Sequence, residues 1–265
     1  MAGRQAALAD SNVRLGAARR LTRRAVRRST GRFLAEGPQA VREALARAGV
    51  VIEVFATAPT LSRHADVLKT TSVPVYEISA RAAAALSETV HPQGIVAVCR
   101  NVDISLADAL GPQTRLAAAL VAPNDPGNLG TILRTADAAG ADAVVITEGG
   151  VDVYNGKAVR ASAGSLFHLG IVVDAEITKV LQVARSGQLR TLASTASGSH
   201  QLHDLSLSVP TLWLFGNEAH GLPTSVVDEA DLSVRVPIYG RAESLNLSAA
   251  AAVCLYASAR AQHNG

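Results

Sequence analysis

Three short stretches of the chain set polar and small residues where chemistry could be done: Asn124-Asp-Pro-Gly-Asn-Leu-Gly-Thr-Ile-Leu-Arg134, Leu214-Phe-Gly-Asn-Glu-Ala-His-Gly-Leu222 and Val236-Pro-Ile-Tyr-Gly-Arg-Ala-Glu-Ser-Leu-Asn-Leu-Ser248. Each places Gly, Pro, Asn or Ser directly after an apolar β-type run, where an α/β fold exposes backbone to a ligand. Three loops of that kind can build one site. Asn124, Glu218, Ser244 and Asn246 are its polar candidates, although Asn and Ser are also common helix caps and turn formers. Arg134 falls six or seven residues into the helix after the first loop and can project beside the carboxyl edge of a sheet. A guanidinium with a pKa above ~12 holds an anion far better than it accepts a proton. The plain alternative is a surface ion pair with Asp137 at i+3.

Other common chemistries are excluded. No G-x-G-x-x-G opens either half of the chain, which disfavours an open dinucleotide site, and around Gly156-Lys157 a phosphate loop fails because position 151 is Val and position 158 is Ala. Neither G-x-S-x-G nor H-E-x-x-H occurs. His200, His203 and Asp204 lie close together, but their Ser- and Gly-rich setting reads as a flexible surface loop of exposed histidines, so no metal is expected.

The elements that must position these residues form two series. A helix is expected over 12–28, with Leu15, Ala18, Leu21 and Ala25 as its apolar stripe. Short strands (33–35, 50–56, 73–78, 94–100) then alternate with helices (38–48, 61–68, 80–86), which argues for a compact α/β unit over 1–105. Residues 106–115 read as a linker broken by Gly111 and Pro112. From 116 to 265 a second βα series follows, with strands 116–122, 143–147, 169–173, 189–194, 211–216 and 232–238 and a last helix 248–261. A run such as Leu116-Ala-Ala-Ala-Leu-Val-Ala122 suits a parallel strand covered on both faces.

Composition limits the setting. With 48% hydrophobic residues over 265 the core is ample, and no apolar run approaches the ~20 residues of a membrane helix. Cys99 and Cys254 lack metal-ligand spacing and read as buried free thiols of a cytoplasmic chain. The net charge of +3 is unevenly spread: residues 1–32 hold nine Arg against the single Asp10, a local +8, leaving −5 for the remainder. A localised Arg cluster (Arg4, Arg19, Arg20, Arg23, Arg24, Arg27 and Arg28 among them) reads as a phosphate-binding surface, with a solvated helix or a targeting presequence as the plain alternatives. The run leads directly into Arg32-Phe-Leu-Ala-Glu-Gly37, a first strand and turn, which argues against a presequence.

In order and in position the three stretches resemble the signature motifs of the SpoU family of ribose 2′-O-methyltransferases, S-adenosylmethionine enzymes of the knotted SPOUT class. Val151-Asp-Val-Tyr-Asn-Gly-Lys-Ala-Val-Arg-Ala-Ser-Ala-Gly-Ser165 is similar to the family's segment between its first two motifs. The resemblance runs from about residue 116 to 262. It implies a C-terminal domain with a parallel sheet and a deep trefoil knot, preceded by a small α/β RNA-binding domain like that of rRNA-directed members, including the thiostrepton-resistance enzymes. It further implies Arg134 as the key catalytic residue, here read as a phosphate clamp and oxyanion stabiliser, with Asn124, Glu218, Ser244 and Asn246 orienting it and the ribose. The cofactor is expected against Leu192, Ser194, Thr195, Gly216, Asn217, Val236, Ile238 and Leu245, Gly216 letting the main chain approach it closely. Arg160 matches an arginine that contacts RNA, with a solvated helix face as its alternative. The expected partners are RNA, with 23S rRNA favoured over tRNA, and a second copy of the chain; no membrane and no metal are expected. A tRNA-directed enzyme and a non-catalytic RNA-binding protein of the same fold are the alternatives.

Overall fold

The computed structural model describes residues 7–69 and 71–263, so Arg4 of the basic run lies outside the described residues. The chain divides into two units: one runs to Val102 and also takes in Tyr154–Phe167, and the other comprises Asp103–Val153 and the residues from His168 onward.

The first unit contains α1 (Val13–Arg20), α2 (Arg24–Thr30), β1 (Arg32–Glu36), α3 (Pro38–Ala46), β2 (Val51–Ala56), α4 (Ala58–Arg63), α5 (Ala65–Leu68), β3 (Val75–Glu77), α6 (Ala80–Ala85) and β4 (Ile95–Arg100). Its sheet has the order β1-β4-β2-β3, antiparallel except for β2 with β3. Leu15, Ala18 and Leu21 pack on Phe55, Val96 and Val98 as the stripe predicts. The single helix expected over 12–28 is broken, however. The Leu21 N–H turns back to the Ala18 carbonyl, and the Arg27 guanidinium donates to the carbonyls of Leu21 at 2.9 Å and Thr22 at 2.8 Å. A cation on the carbonyls that end a helix is a favourable stop. After this turn the phase changes, so Ala25 is exposed and Val26 packs inward.

The second unit contains α7 (Leu106–Ala109), β5 (Leu116–Leu120), α8 (Pro126–Ala138) and β6 (Ala143–Thr147). α9 (Gly156–Ala161) belongs to the excursion into the first unit, and then follow β7 (Gly170–Ala175), α10 (Ile177–Ser186), β8 (Arg190–Ser194), β9 (His200–Gln201), β10 (Thr211–Phe215), α11 (Thr224–Glu229), β11 (Leu232–Arg235) and α12 (Leu247–His263). The seven strands are ordered β7-β6-β5-β10-β8-β11-β9, and every pairing is parallel. All carboxyl ends therefore share one edge. β5 is wholly buried, as its sequence predicts. Residues 106–115 are not a free linker: α7 and the buried Ala109 and Leu110 join this unit's core, because their apolar side chains gain more from burial than from water. Of the stretch 196–204, expected to be a flexible surface loop, residues 200–204 form β9, paired to β11, and a 3₁₀ turn.

Candidate active site

β5 continues through α8 to β6 and β7 on one side, while β10, β8 and β11 lie on the other. The crevice outside the carboxyl ends at such a reversal is where open α/β sheets bind ligands. The loops leaving β5, β8, β10 and β11 meet there.

Glu218, in the loop after β10, is the hub. Its Oε2 accepts the Asn124 N–H at 2.9 Å, and its Oε1 accepts the Asp125 N–H at 3.2 Å and the Asn128 side-chain amide at 3.1 Å. Burial alone would raise its pKa, but the hydrogen bonds from Asn124, Asn128, its own N–H and Asp125 outweigh burial and hold the carboxyl below the usual value of 4.5. The Asn128 Oδ1 in turn accepts from the Asn246 side chain at 3.3 Å, so all three sequence stretches are tied through one asparagine. Asp125 caps α8 by accepting the Asn128 N–H, and Asn246 caps α12 by accepting the Ser248 N–H and hydroxyl.

The loop after β10 folds back on itself, Asn217 and Gly221 exchanging backbone hydrogen bonds at 3.0 and 2.9 Å. A Cβ on Gly216 would lie 2.1 Å from the Gly221 carbonyl carbon and 2.2 Å from the Leu222 nitrogen. Glycine is thus required there by the turn's own closure, whereas the sequence reading attributed it to approach of a ligand. Beside it, Ala122 leaves β5 with φ of +46°, an uncommon conformation for a residue with a Cβ. It is held from both ends: its N–H donates to Thr147 Oγ1 at 2.9 Å and its carbonyl accepts from the Asn217 amide at 2.6 Å.

These loops enclose a cavity of about 490 Å³, lined by Ser194, Thr195, Gly216, Asn217, Glu218, Val236, Ile238, Ser244, Leu245 and Asn246. Phe215, Leu222, Glu243 and Leu247, all within the motif stretches, line it as well, and so does Ala250 just beyond them. Its size is that of a cofactor pocket. Apolar walls for a flat base beside polar groups for an amino-acid end fit S-adenosylmethionine. Among the described residues no group of three His, Cys, Asp or Glu is placed to hold a metal ion.

Several expected site residues stand elsewhere. Leu192 is fully buried inside β8 and does not line the cavity, since the pocket begins beyond the strand's end at Ser194. Asn124 contributes its backbone, while the side chain in the network belongs to Asn128, which the sequence reading passed over although it stands in the first turn of α8. Arg134 lies on the exposed face of α8, outside the cavity lining. Arg19, Arg20, Arg23, Arg24 and Arg28 are exposed, but Arg27 is only 4% exposed and is spent on the α1 terminus, so it leaves the expected RNA-facing set. Arg160 is ion-paired rather than solvated: its Nη1 lies 2.9 Å from Glu36 Oε2, and its side chain is 26% exposed. Cys99 and Cys254 are buried and free, and burial pushes the Cys254 thiol up to about 12.

Residues 115–256 match the SpoU rRNA methylase family, and residues 12–97 match the MRM3-like substrate binding domain. The chain is 36% identical over 230 residues to the 23S rRNA (guanosine(2553)-2′-O)-methyltransferase RlmP of Bacillus subtilis, covering 87% of this chain and 89% of that one. It is 31% identical to an AdoMet-bound rRNA methyltransferase from Sinorhizobium meliloti, with a TM-score of 0.84 over 94% of this chain and 95% of that one. The SpoU methyltransferase AviRb from Streptomyces viridochromogenes in complex with AdoMet gives 0.85 at 28% identity, over 96% and 99%. A structure concerned with 2-OH methylation of C/U34 on tRNA matches with its whole length but covers only 58% of this chain, with a TM-score of 0.53 and 28% identity. Fold and site thus define an α/β methyltransferase preceded by a substrate-binding domain. The chain belongs to the SpoU rRNA methylase family, the RNA ribose 2′-O-methyltransferases that use S-adenosylmethionine.

Proposed function

We propose that this protein methylates a ribose 2′-hydroxyl of 23S rRNA in the cytoplasm, working as a homodimer. The observation that carries the reading is the Glu218–Asn128–Asn246 network, which joins the three motif loops at one cavity. S-adenosylmethionine, when bound, supplies an electrophilic methyl group. Gly216, Asn217, Val236, Ile238 and Leu245, with Ser194 and Thr195, would hold it. The chain's own work is positioning and electrostatics. Glu218 fixes the start of α8 through the N–H groups of Asn124 and Asp125, and Ser244 and Asn246 present polar groups at the cavity wall. Arg134 clamps the adjacent phosphate and stabilises charge developing on the 2′-oxygen.

Two observations support a dimer. Val253 and Tyr256 are 38% and 51% exposed one turn apart on α12, an apolar stripe suited to helix packing, and Arg134 stands outside the cavity of its own protomer. Pairing would let one protomer's arginine serve the other's cavity. The front domain favours rRNA over tRNA, since residues 12–97 match a substrate-binding domain and the rRNA methyltransferase structure from Sinorhizobium meliloti covers 94% of the chain against 58% for the tRNA-related one, and its five exposed arginines around the α1–α2 turn suit an RNA phosphate backbone. Among the described residues no helix is long and apolar enough to cross a membrane.

The test is transfer of labelled methyl to large-subunit rRNA, small-subunit rRNA and tRNA in parallel, using wild type, Arg134→Ala, Ser244→Ala and a mixture of the two variants. Incorporation into large-subunit rRNA alone, lost in each variant and regained in part in the mixture, is the expected result. Incorporation only into tRNA overturns the substrate, failure of the mixture overturns the shared site, and undiminished transfer by Arg134→Ala overturns the catalytic role.

A further inference from the structure

Arg134 has an acid one helical turn away, Asp137, at the i+3 spacing at which an arginine and an aspartate on one helix face pair. An arginine held by its own helix would not be available to a phosphate. No ion pair joins the two: Asp137 Oδ2 instead lies 2.8 Å from Nδ1 of His168, which precedes β7. The Asp137 side chain is 29% exposed and that of His168 45%, while Arg134 is exposed and carries no described hydrogen bond or ion pair. The only groups described against the Asp137 carboxylate are thus its own helix and this imidazole. A carboxylate that accepts from an imidazole N–H has one oxygen fewer for a bidentate guanidinium.

We propose that His168 is a positioning residue for methyl transfer: it occupies Asp137 and so keeps the Arg134 guanidinium free for the RNA phosphate and the developing 2′-oxyanion. This rests on the role assigned to Arg134 above. His168 does not touch substrate; it acts by removing a competitor. The sequence hides the arrangement, because His168 stands 31 residues from Asp137 and in no motif.

The experiment measures kcat and KM of methyl transfer to large-subunit rRNA for wild type, His168→Ala, Asp137→Asn, the double variant and Arg134→Ala, together with amide-exchange protection of the Arg134 Nε–H by nitrogen-15 NMR. In His168→Ala the freed carboxylate captures Arg134. Transfer falls by roughly two- to fivefold, the range that an exposed to half-exposed ion pair commands, and the Arg134 signal gains protection. In the double variant both changes are reversed, since an amide does not hold the guanidinium as a carboxylate does. Asp137→Asn alone keeps wild-type kcat. If the double variant stays as slow as His168→Ala, or Asp137→Asn is equally slow, the pair is merely structural and the proposal is overturned. Full activity of Arg134→Ala removes the reading on which the proposal rests, whereas a dead Arg134→Ala with no rescue removes the proposal alone.

Discussion

A carboxylate at the surface usually contributes little, but Glu218 faces four donors and so sets the position of an entire loop. Because its folded pKa lies below the usual 4.5, the tether is fully present above that unfolded value and is lost as pH falls through the lower folded one. Protonation removes the charge that the Asn124 and Asp125 N–H groups address. We expect the amide-exchange protection of these two residues, corrected for the intrinsic exchange rate at each pH, to fall as pH drops below about 4.5 in the wild-type protein. In Glu218→Gln the same amides should be poorly protected both above and below pH 4.5, and a flat wild-type protection profile would refute the tether. The pairing also explains how the three stretches could be seen in the sequence while their junction could not. Motif order and spacing are local, but that Asn128 rather than the Asn124 side chain links Glu218 to Asn246 depends on residues 90 and 118 positions apart meeting in space.

At the scale of elements, the strands and helices with an apolar period were readable to within a few residues. β5, β6, β8, β10 and α12 fall close to where the patterns put them, since burial of a face is written into the alternation of side chains. What failed was decided by distant partners. The α1–α2 break requires Arg27 to reach back to Leu21 and Thr22, and β9 exists only because β11 pairs with it. The break separates two kinds of arginine that look alike in sequence. Arg27→Ala removes hydrogen bonds from a charged donor to two carbonyls, so it should cost roughly 1–3 kcal/mol of stability and leave the salt dependence of RNA binding unchanged. Arg23→Ala should leave the melting temperature unchanged and reduce the slope of log affinity against log salt by about 0.7, the value for one phosphate contact on single-stranded RNA. Equal effects of the two variants on both measurements would erase the distinction between capping and phosphate-gripping arginines.

At the scale of the whole molecule, the chain does not leave its first unit once and for all at Val102. Tyr154–Phe167 is counted with that unit, and its side chains explain why. The Tyr154 hydroxyl accepts the buried Val102 N–H at 2.9 Å, the Phe33 ring lies 4.6 Å from that of Tyr154, and the Arg47 guanidinium donates to the Phe167 carbonyl at 3.1 Å. Glu36, 8% exposed, accepts from the hydroxyls of Ser87 and Thr89 and from Arg160, which stands 124 residues away in the chain. No local pattern could reveal that arrangement, and it gives Arg160 a structural role that thermal unfolding tests. Removing one member of a buried pair strands the other, at a cost of ~3–5 kcal/mol when both are fully buried. With the Arg160 side chain 26% exposed, water screens part of this, and roughly 1–3 kcal/mol is expected for Arg160→Ala. Glu36→Gln in the same variant removes the stranded charge while keeping an acceptor for the two hydroxyls, so most of that stability should return. A structural arginine therefore predicts loss and recovery in thermal unfolding with an unaltered RNA salt slope. A double variant no more stable than Arg160→Ala, or a slope lowered by about 0.7 in Arg160→Ala, would return Arg160 to the RNA surface.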